Sequence, residues 1–237
     1  MPHLPHTTGV LPSHGSLPRV DFASSADSTL IDGAARLIPV AQGEELELPV
    51  SALTRDGLLE ALEAVGATGS HGEITKVVLD GDLHIAVGLG EDTSPTSVRR
   101  AMGAAARSLN GVERAVVSGE FGVAAIVEGL LLGGYAYAGL KAQKDGENGT
   151  DAEDAVSASA PLITVIGRED ERGAFEAAAT TGHAVALARD LVNTPSNLLY
   201  PEVYAEYSEQ IATAAGVQVE VLDDAQLRGQ GFGGITA

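Results

Sequence analysis

The sequence predicts an α/β protein in which a mostly parallel sheet is flanked by helices. Strand-like apolar runs alternate with helix-like segments through most of the 237 residues. Hydrophobic residues make up 44% of the chain, which is enough for a substantial core. Aromatic residues make up only 4%, and tryptophan and cysteine are absent. The core must therefore consist mainly of Ala, Val, Leu and Ile, without disulfides or thiolate metal sites.

Five segments are predicted to be strands of an N-terminal sheet. Each is a short run rich in Val, Ile and Leu that is bounded by turn-forming residues. Asp80-Gly81 lies between two of these runs and predicts a two-residue hairpin turn. The five segments are 35–40, 76–80, 83–89, 112–117 and 161–166.

Helices are predicted between and after these strands. Ser94 followed by Pro95 is a favourable helix start, with the serine as N-cap and the proline at the first helical position. A long helix begins with three acidic residues at 169–171, which suit the positive end of its dipole. Its apolar pattern predicts increasing burial toward the C-terminal end. The predicted helices are 56–65, 95–109, 121–140, 169–192 and 201–215, and the apolar face of the long helix contains Phe175, Ala178, Gly182, Val185 and Val192.

The order of the elements predicts two modules joined by the long helix. The second module has one predicted strand, 217–222, and the possible start of another at 234–237. Because one strand cannot form a stable sheet, we expect this module to be incomplete, with its main part beyond Ala237. The predicted organisation is a disordered tail at 1–26, an N-terminal α/β domain at 27–167, a linker helix at 168–192 and the truncated start of a second domain at 193–237.

The charge of the chain argues against two classes of partner. Fourteen basic residues against 33 acidic ones give a net charge of −19, which repels phosphate backbones and anionic lipid. No apolar run reaches membrane-spanning length, and the first twenty residues contain no apolar segment of the kind found in secretory signals. We therefore expect a cytoplasmic protein that binds neither nucleic acid nor membrane.

The stretch ALARDLVNTPSNLLYP at 186–201 carries the most specific signal in the sequence. ARDLVNTPSN followed by a helix that begins with proline resembles the start of the catalytic domain in the leucyl aminopeptidase (cytosol aminopeptidase) family. HIAVGLGE, VEGLLLGGYAYAGLKAQKD and LRGQGFGGITA also resemble segments of that family, so that the resemblance covers roughly residues 30–237. Tyr200 departs from the family pattern, which commonly has a capping threonine at this position.

The resemblance implies a macro-like N-terminal domain and the beginning of a two-metal exopeptidase. Two divalent cations, Mn or Zn, are implied for the full-length enzyme, which releases N-terminal amino acids from peptides and is typically a homohexamer. Its metal ligands and catalytic groups belong to the large catalytic domain, and we expect them beyond the end of this chain. We therefore predict no catalytic, cofactor-binding or metal-binding residue within it, and an inactive chain when it stands alone. The alternative is a non-catalytic module that binds a nucleotide such as ADP-ribose or serves in assembly.

One segment resembles the family's metal signature without matching it. Asn148 to Asp154 reads Asn-Gly-Thr-Asp-Ala-Glu-Asp, whereas the family motif is Asn-Thr-Asp-Ala-Glu-Gly-Arg. Gly149 is an insertion, the final Gly-Arg is missing, and the segment lies in a polar loop upstream of the second module. Because nothing in such a loop would hold two carboxylates rigidly, we interpret them as solvated acids.

The remaining candidates are weighed against simpler structural roles. Gly88 and Gly90 follow a strand and precede a helix, so they could cradle a phosphate, but the third glycine of a dinucleotide fingerprint is missing and a tight turn is the preferred interpretation. Structural roles are also expected for the other candidates. His84 in a strand is expected to be structural, and His183 on the long helix to be packed or half-exposed. His3, His6 and His14 are expected to be solvated in the tail, and Arg189 and Asp190 to form a structural ion pair.

Overall fold

The computed structural model describes residues 11, 14–24, 31–48, 56–137 and 160–236. These residues divide into two compact units. The larger unit contains 15–137 and 160–189, and the smaller one contains 190–236 together with Leu11 and His14. The division falls between Arg189 and Asp190, within the long helix. The predicted domain boundaries at 27, 168 and 193 stay predictions.

Seven strands of the described residues form one mixed sheet in the larger unit. The spatial order is β1-β7-β6-β2-β5-β4, and β3 pairs with the end of β2. The four central pairings are parallel, whereas β4 with β5 and β3 with β2 are antiparallel. The strands are β1 (Arg19–Ala23), β2 (Ala35–Gln42), β3 (Leu46–Glu47), β4 (Ile74–Leu79), β5 (Asp82–Gly90), β6 (Arg114–Ser118) and β7 (Leu162–Ile166).

Helices cover both faces of this sheet, which confirms the predicted fold class. One face packs against α2, α3 and the first half of α4, and the other packs against α1. The 3₁₀ turns Gly119–Phe121 and Glu169–Glu171 precede α3 and α4. The helices of the chain are α1 (Leu58–Ala64), α2 (Pro95–Arg107), α3 (Val123–Gly134), α4 (Arg172–Asn193), α5 (Pro201–Ala214), α6 (Asp224–Gly229) and α7 (Gly233–Thr236).

The predicted turn and cap chemistry is present in the larger unit. Asp80 and Gly81 both have positive φ, 54° and 86°, as a two-residue hairpin turn with the twist of the flanking strands requires. Ser94 caps α2 with its side chain, which accepts a hydrogen bond from the Ser97 amide, and Pro95 is the first helical residue.

Glycines allow α2 and α3 to pack backbone against backbone. A Cβ added to Gly133 would lie 2.3 Å from the Cα of Gly103, and one added to Gly129 would lie 2.4 Å from the carbonyl oxygen of Arg99. No side chain fits at either position. Arg99 and Glu128 then join the two helices with an ion pair at 2.7 Å. This close contact explains how an almost wholly apolar α3 is covered on most sides.

The prediction that residues 1–26 form a disordered tail is wrong for Arg19–Ala23. These five residues form the edge strand β1, which pairs in parallel with all five residues of β7. Val20 and Phe22 pack against the core, and the Phe22 ring lies 5.4 Å from the Phe175 ring. Alternation of apolar and polar residues over only five positions was too short a signal to outweigh the proline-rich sequence before it.

Two expectations for the C-terminal part of the chain are also wrong. Residues 217–222 are not a strand, and 233–236 form one helical turn instead of the start of another. Val217, Val219 and Val221 are exposed at 58%, 37% and 46%. An isolated apolar segment has no strand to hydrogen-bond with in the described part of this unit, and alternation alone does not create a sheet.

The long helix α4 does not become more buried toward its C-terminal end. Its buried stripe contains Phe175, Ala178, Ala179, Gly182 and Ala186, at helical spacing. Val185 and Val192, which were assigned to the buried face, lie off this stripe and are 37% and 84% exposed. Val185 follows Gly182 by three residues and therefore borders the stripe, so helical spacing alone did not exclude it, whereas Val192 lies farther round the helix.

Candidate functional site

The larger unit has a cleft of about 320 Å³ where β5 ends and α2 begins. His71, Gly90, Asp92, Ser97 and Arg100 are among the residues that line it. The carboxyl ends of parallel strands are the usual place for ligands in open α/β sheets. Leu89 and Gly90 from the end of β5 line this cleft, and it is therefore the place to test whether the Gly88–Gly90 segment can bind a phosphate.

The backbone amides of Gly88 and Gly90 already have partners within the protein. Gly88 donates to the Glu73 carbonyl at 2.8 Å, and Gly90 donates to the Gly69 carbonyl at 2.9 Å. A Cβ on Gly88 would lie 2.1 Å from the Ser70 carbonyl oxygen, and Gly90 has a φ of 75°. The interpretation as a tight turn is wrong, because both glycines are residues of β5. Gly88 instead allows close backbone packing, and Gly90 adopts a left-handed φ at the end of the strand.

The segment that packs on these glycines is fixed by the Glu73 carboxylate. That carboxylate accepts hydrogen bonds from the Thr68 hydroxyl at 2.7 Å and from the amides of Thr68 and Ser70 at 3.1 Å. Burial raises the pKa of Glu73, but these hydrogen bonds outweigh it and leave the pKa below its usual value. The segment that contributes His71 to the cleft is thus held in place by a carboxylate that stays ionised at neutral pH.

The N-terminus of α2 is also occupied by a protein carboxylate. Asp92 accepts hydrogen bonds at 2.8 Å from both the amide and the hydroxyl of Ser94, and the pKa of Asp92 is lowered by them. Ser97, the next polar group inward, donates its hydroxyl proton to the Leu89 carbonyl at 2.9 Å. A phosphate at this position would meet the negative charge of Asp92, so the geometry does not favour an anion site.

His84 has the structural role expected from its position in a strand. It is fully buried in β5, and its Nδ1 lies 3.1 Å from the Asp82 carbonyl oxygen. The neighbouring position on β2 holds Arg36, which is 1% exposed and forms an ion pair with Asp82. Sequence reasoning missed this buried ion pair because Arg36 reads as the polar residue of an ordinary strand.

The other histidines differ in exposure. His183 is exposed on α4, so it is not packed in the core, and the half-exposed position that the sequence also allowed is not contradicted. The His14 side chain is only 17% exposed, and its Nδ1 lies 3.5 Å from an Asp190 carboxylate oxygen. The interpretation of His14 as a solvated tail residue is therefore wrong. His3 and His6 lie outside the described residues.

Arg189 and Asp190 are adjacent in sequence but have different partners. The Arg189 guanidinium lies 3.8 Å from the centroid of the Tyr135 ring and donates to the Leu132 carbonyl at 2.9 Å. Leu132 is in the last turn of α3, where carbonyl groups lack helical partners. Asp190 contacts His14 in the smaller unit. Both residues have structural contacts, but the ion pair found here joins Asp190 to His14.

The stretch at 194–200 forms a compact turn between α4 and α5. Thr194 donates both its amide and its hydroxyl to the Asp190 carbonyl, at 3.0 and 2.7 Å. The Pro195 carbonyl then accepts from the amides of Leu198 and Leu199 at 2.9 Å. Tyr200 is the N-cap of α5 and makes no side-chain cap, as its departure from the usual threonine predicts. Pro201 supplies the pre-set φ of the first helical position.

No metal centre can be assigned to the described residues. Among them, no group of three or more His, Asp or Glu side chains is placed to hold a metal ion. The segment Asn148–Asp154, which resembles the family's metal signature imperfectly, lies outside the residues that the structure describes. We therefore assign no metal ligand among the described residues and derive no metal-dependent step from them. A search of the described helices for one that is long and apolar enough to cross a bilayer also finds none.

Two sequence profiles match the chain. The profile of the cytosol aminopeptidase family, N-terminal domain, matches residues 38–144, and that of the same family's catalytic domain matches 186–237. A probable cytosol aminopeptidase of Corynebacterium efficiens is 43% identical over 203 residues, covering 84% of this chain and 39% of the relative. One from a Mycobacterium species is 32% identical over 231 residues, covering 92% and 44%.

Solved structures share the fold at low sequence identity. The bottromycin maturation enzyme BotP in complex with Mn matches with a TM-score of 0.66 and 24% identity, covering 86% of this chain and 42% of that one. A mutant tomato leucine aminopeptidase matches with a TM-score of 0.67 and 21% identity, covering 92% and 48%. At these identities the likeness shows the fold alone.

The chain spans about two fifths of the length of the curated relatives, from 39% to 44% in the two described above. Its two profile matches together take in more than half of its residues and follow the order in which the family arranges its domains. The chain therefore belongs to the cytosol aminopeptidase family of peptidases and contains its N-terminal domain and the beginning of its catalytic domain.

Proposed function

We propose that this chain is the N-terminal portion of a cytoplasmic, metal-dependent leucyl-type aminopeptidase that removes N-terminal amino acids from peptides. The observation that supports this best is the catalytic-domain match over 186–237, which coincides with the α4–turn–α5 segment and with the ARDLVNTPSN stretch. The name of the curated relatives points the same way.

The proposal includes two divalent cations, Mn or Zn, held by the part of the catalytic domain that this chain does not span. When bound, such a pair supplies an activated water and stabilises the oxyanion formed at the first peptide bond. The support is the family itself and the Mn complex named for BotP. Homohexamer formation is part of the same proposal.

The role that we assign to this chain is architectural. Its sheet and the helices α2 and α3 bury the first half of α4, from Phe175 to Ala179. Arg189 then fastens α4 to the end of α3 through the Tyr135 ring and the Leu132 carbonyl. The alternative, a nucleotide-binding module, has no support from the cleft, whose glycine amides and helix N-terminus are already occupied by protein groups.

Activity measurements on two lengths of protein test the proposal. The 237-residue chain and the complete protein that carries it are each incubated with leucine p-nitroanilide and Mn²⁺, with a metal-only blank. We expect turnover from the complete protein and none above the blank from the chain. Turnover by the chain would contradict the location of the catalytic groups, whereas an inactive complete protein would contradict the aminopeptidase assignment itself.

Calorimetry with ADP-ribose tests the alternative separately. We expect no binding heat, because an anion in the β5–α2 cleft would face the Asp92 carboxylate. Micromolar binding that is lost in Gly88→Val would favour the nucleotide-binding module instead.

A further inference from the structure

The smaller unit contains a buried group of three titratable side chains that comes from three separate parts of the chain. His14 precedes β1, Asp190 lies in the last turn of α4, and Tyr207 lies in the middle of α5. Asp190 and Tyr207 are 5% and 2% exposed, and the side chain of His14 is 17% exposed. Buried polar groups of this kind are retained where their partners satisfy them, so the three must be considered together.

His14 contacts both helices that flank the 194–200 turn. Its Nδ1 lies 3.5 Å from an Asp190 carboxylate oxygen on α4. Its ring stacks on that of Tyr207 on α5, with centroids 6.1 Å apart and an angle of 29° between the planes. Leu11, three residues earlier, is 4% exposed, so that the segment before β1 is anchored at two described positions. One imidazole thus bridges the last turn of α4 and the middle of α5.

A carboxylate at the negative end of a helix dipole lies beside this imidazole. Asp190 from α4 and Tyr207 from α5 are titratable groups of the described residues that contact the ring, whereas Arg189 contacts Tyr135. Asp190 also sits at the negative end of the α4 dipole, where a carboxylate is unfavourable and a cation is favourable. Burial, with the added effect of the Asp190 charge, raises the pKa of Tyr207 to about 12, so this phenol stays neutral at physiological pH.

We propose that His14 is a protonation-sensitive bracket that fixes α5 against the end of α4 across the 194–200 turn. When the imidazole carries a proton, it neutralises Asp190 and ties the segment before β1 to both helices. When it loses that proton, the charge attraction between His14 and Asp190 is lost, and α5 is held less firmly against the end of α4. Histidine is the side chain that makes this change near neutral pH. The bracket concerns the start of the catalytic domain and holds whether or not the aminopeptidase assignment is correct.

Amide hydrogen exchange of α5 in the full chain tests the bracket. The wild type is compared with His14→Gln, which is polar but never charged, and with His14→Lys, which stays charged. At about pH 5.5 we expect peptides containing Tyr207 to exchange about fivefold more slowly in the wild type than in His14→Gln. At about pH 8 that ratio should approach one, while His14→Lys keeps its protection at both values.

The pairing with Asp190 is tested by the double variant His14→Gln/Asp190→Asn. If the two residues act through each other, the double variant loses no more α5 protection than the more damaging of the two single variants. A protection ratio that does not change with pH, or a lysine variant that behaves like glutamine, would overturn the proposal. If a variant does not fold, a pH titration of the wild type followed by NMR tests the bracket. The chemical shifts of the α5 amides should change over the same pH range as those of the His14 ring. Changes over different pH ranges would refute the bracket.

Discussion

Strand β6 of the larger unit and residues 217–221 of the smaller unit both have valine-rich, strand-like sequences, but only β6 is a strand. β6 reads RAVVS, and it lies between β2 and β7 with Ala115, Val116 and Val117 fully buried. The other segment reads VQVEV and is exposed, without strand structure. The difference shows that a β-pattern becomes a strand only where a neighbouring backbone offers hydrogen bonds.

The two units also differ in how they bury charge. In the larger unit Arg36 and Asp82 come from adjacent strands of the sheet, so their pairing follows from strand register. In the smaller unit His14 and Asp190 come from distant parts of the chain, and no regular element aligns them. Breaking the pair that is set by strand register should therefore destabilise the whole fold more than breaking the pair formed by a flanking segment.

The largest expected effect comes from the glycine contact between α2 and α3. In Gly133→Ala the new Cβ would lie 2.3 Å from the Cα and 2.4 Å from the carbonyl oxygen of Gly103. Both are backbone atoms, so they cannot rotate away. We expect a loss of about 3 kcal/mol in the free energy of unfolding, measured by urea denaturation. Gly173→Ala is the matched control, because nothing lies within 4 Å of its added Cβ, and it should be neutral or stabilise by up to about 1 kcal/mol. Equal effects of the two substitutions would contradict the close packing.

A smaller effect is expected from breaking the register-set ion pair. Asp82→Asn removes the partner of a guanidinium that is 1% exposed, and we expect a loss of about 2 kcal/mol because a buried charge is left without compensation. Arg36→Met removes the buried charge itself and keeps most of the side-chain volume, so it should cost less than Asp82→Asn. Thermal denaturation shows which of the two variants loses more stability. A larger loss of stability in Arg36→Met would show that the pair stabilises the sheet by its net attraction.

The smallest effect sharpens the comparison between β6 and the 217–221 segment directly. Val117→Thr places a hydroxyl in a fully buried position and should lower the free energy of unfolding by about 1–2 kcal/mol. Val219→Thr makes the same chemical change at a site that is 37% exposed and should stay within about 0.5 kcal/mol. Urea denaturation of the 237-residue chain measures both. A loss at Val219 as large as that at Val117 would mean that 217–221 is packed as a strand.

The sequence was informative wherever the signal was local. Asp80-Gly81 predicted the hairpin, Ser94-Pro95 predicted the start of α2, and Tyr200-Pro201 predicted an α5 that begins without a side-chain cap. Gly88 and Gly90 were interpreted as turn residues, but they lie in β5, where their amides are occupied by backbone carbonyls that sequence could not identify. Strand β1 was missed because the five residues Arg19–Ala23 gain their structure from β7, which follows far along the chain.

By itself the sequence determined the α/β class, the helix starts, the hairpin and the family, because each depends on residues that are close together in the chain or on a contiguous motif. Only the tertiary structure decided that Arg19–Ala23 is a strand and 217–221 is not, since both depend on a partner backbone. It also decided that His14 meets Asp190 and Tyr207. A buried polar contact between distant residues leaves no periodic or local pattern, so it becomes visible only after the chain has folded.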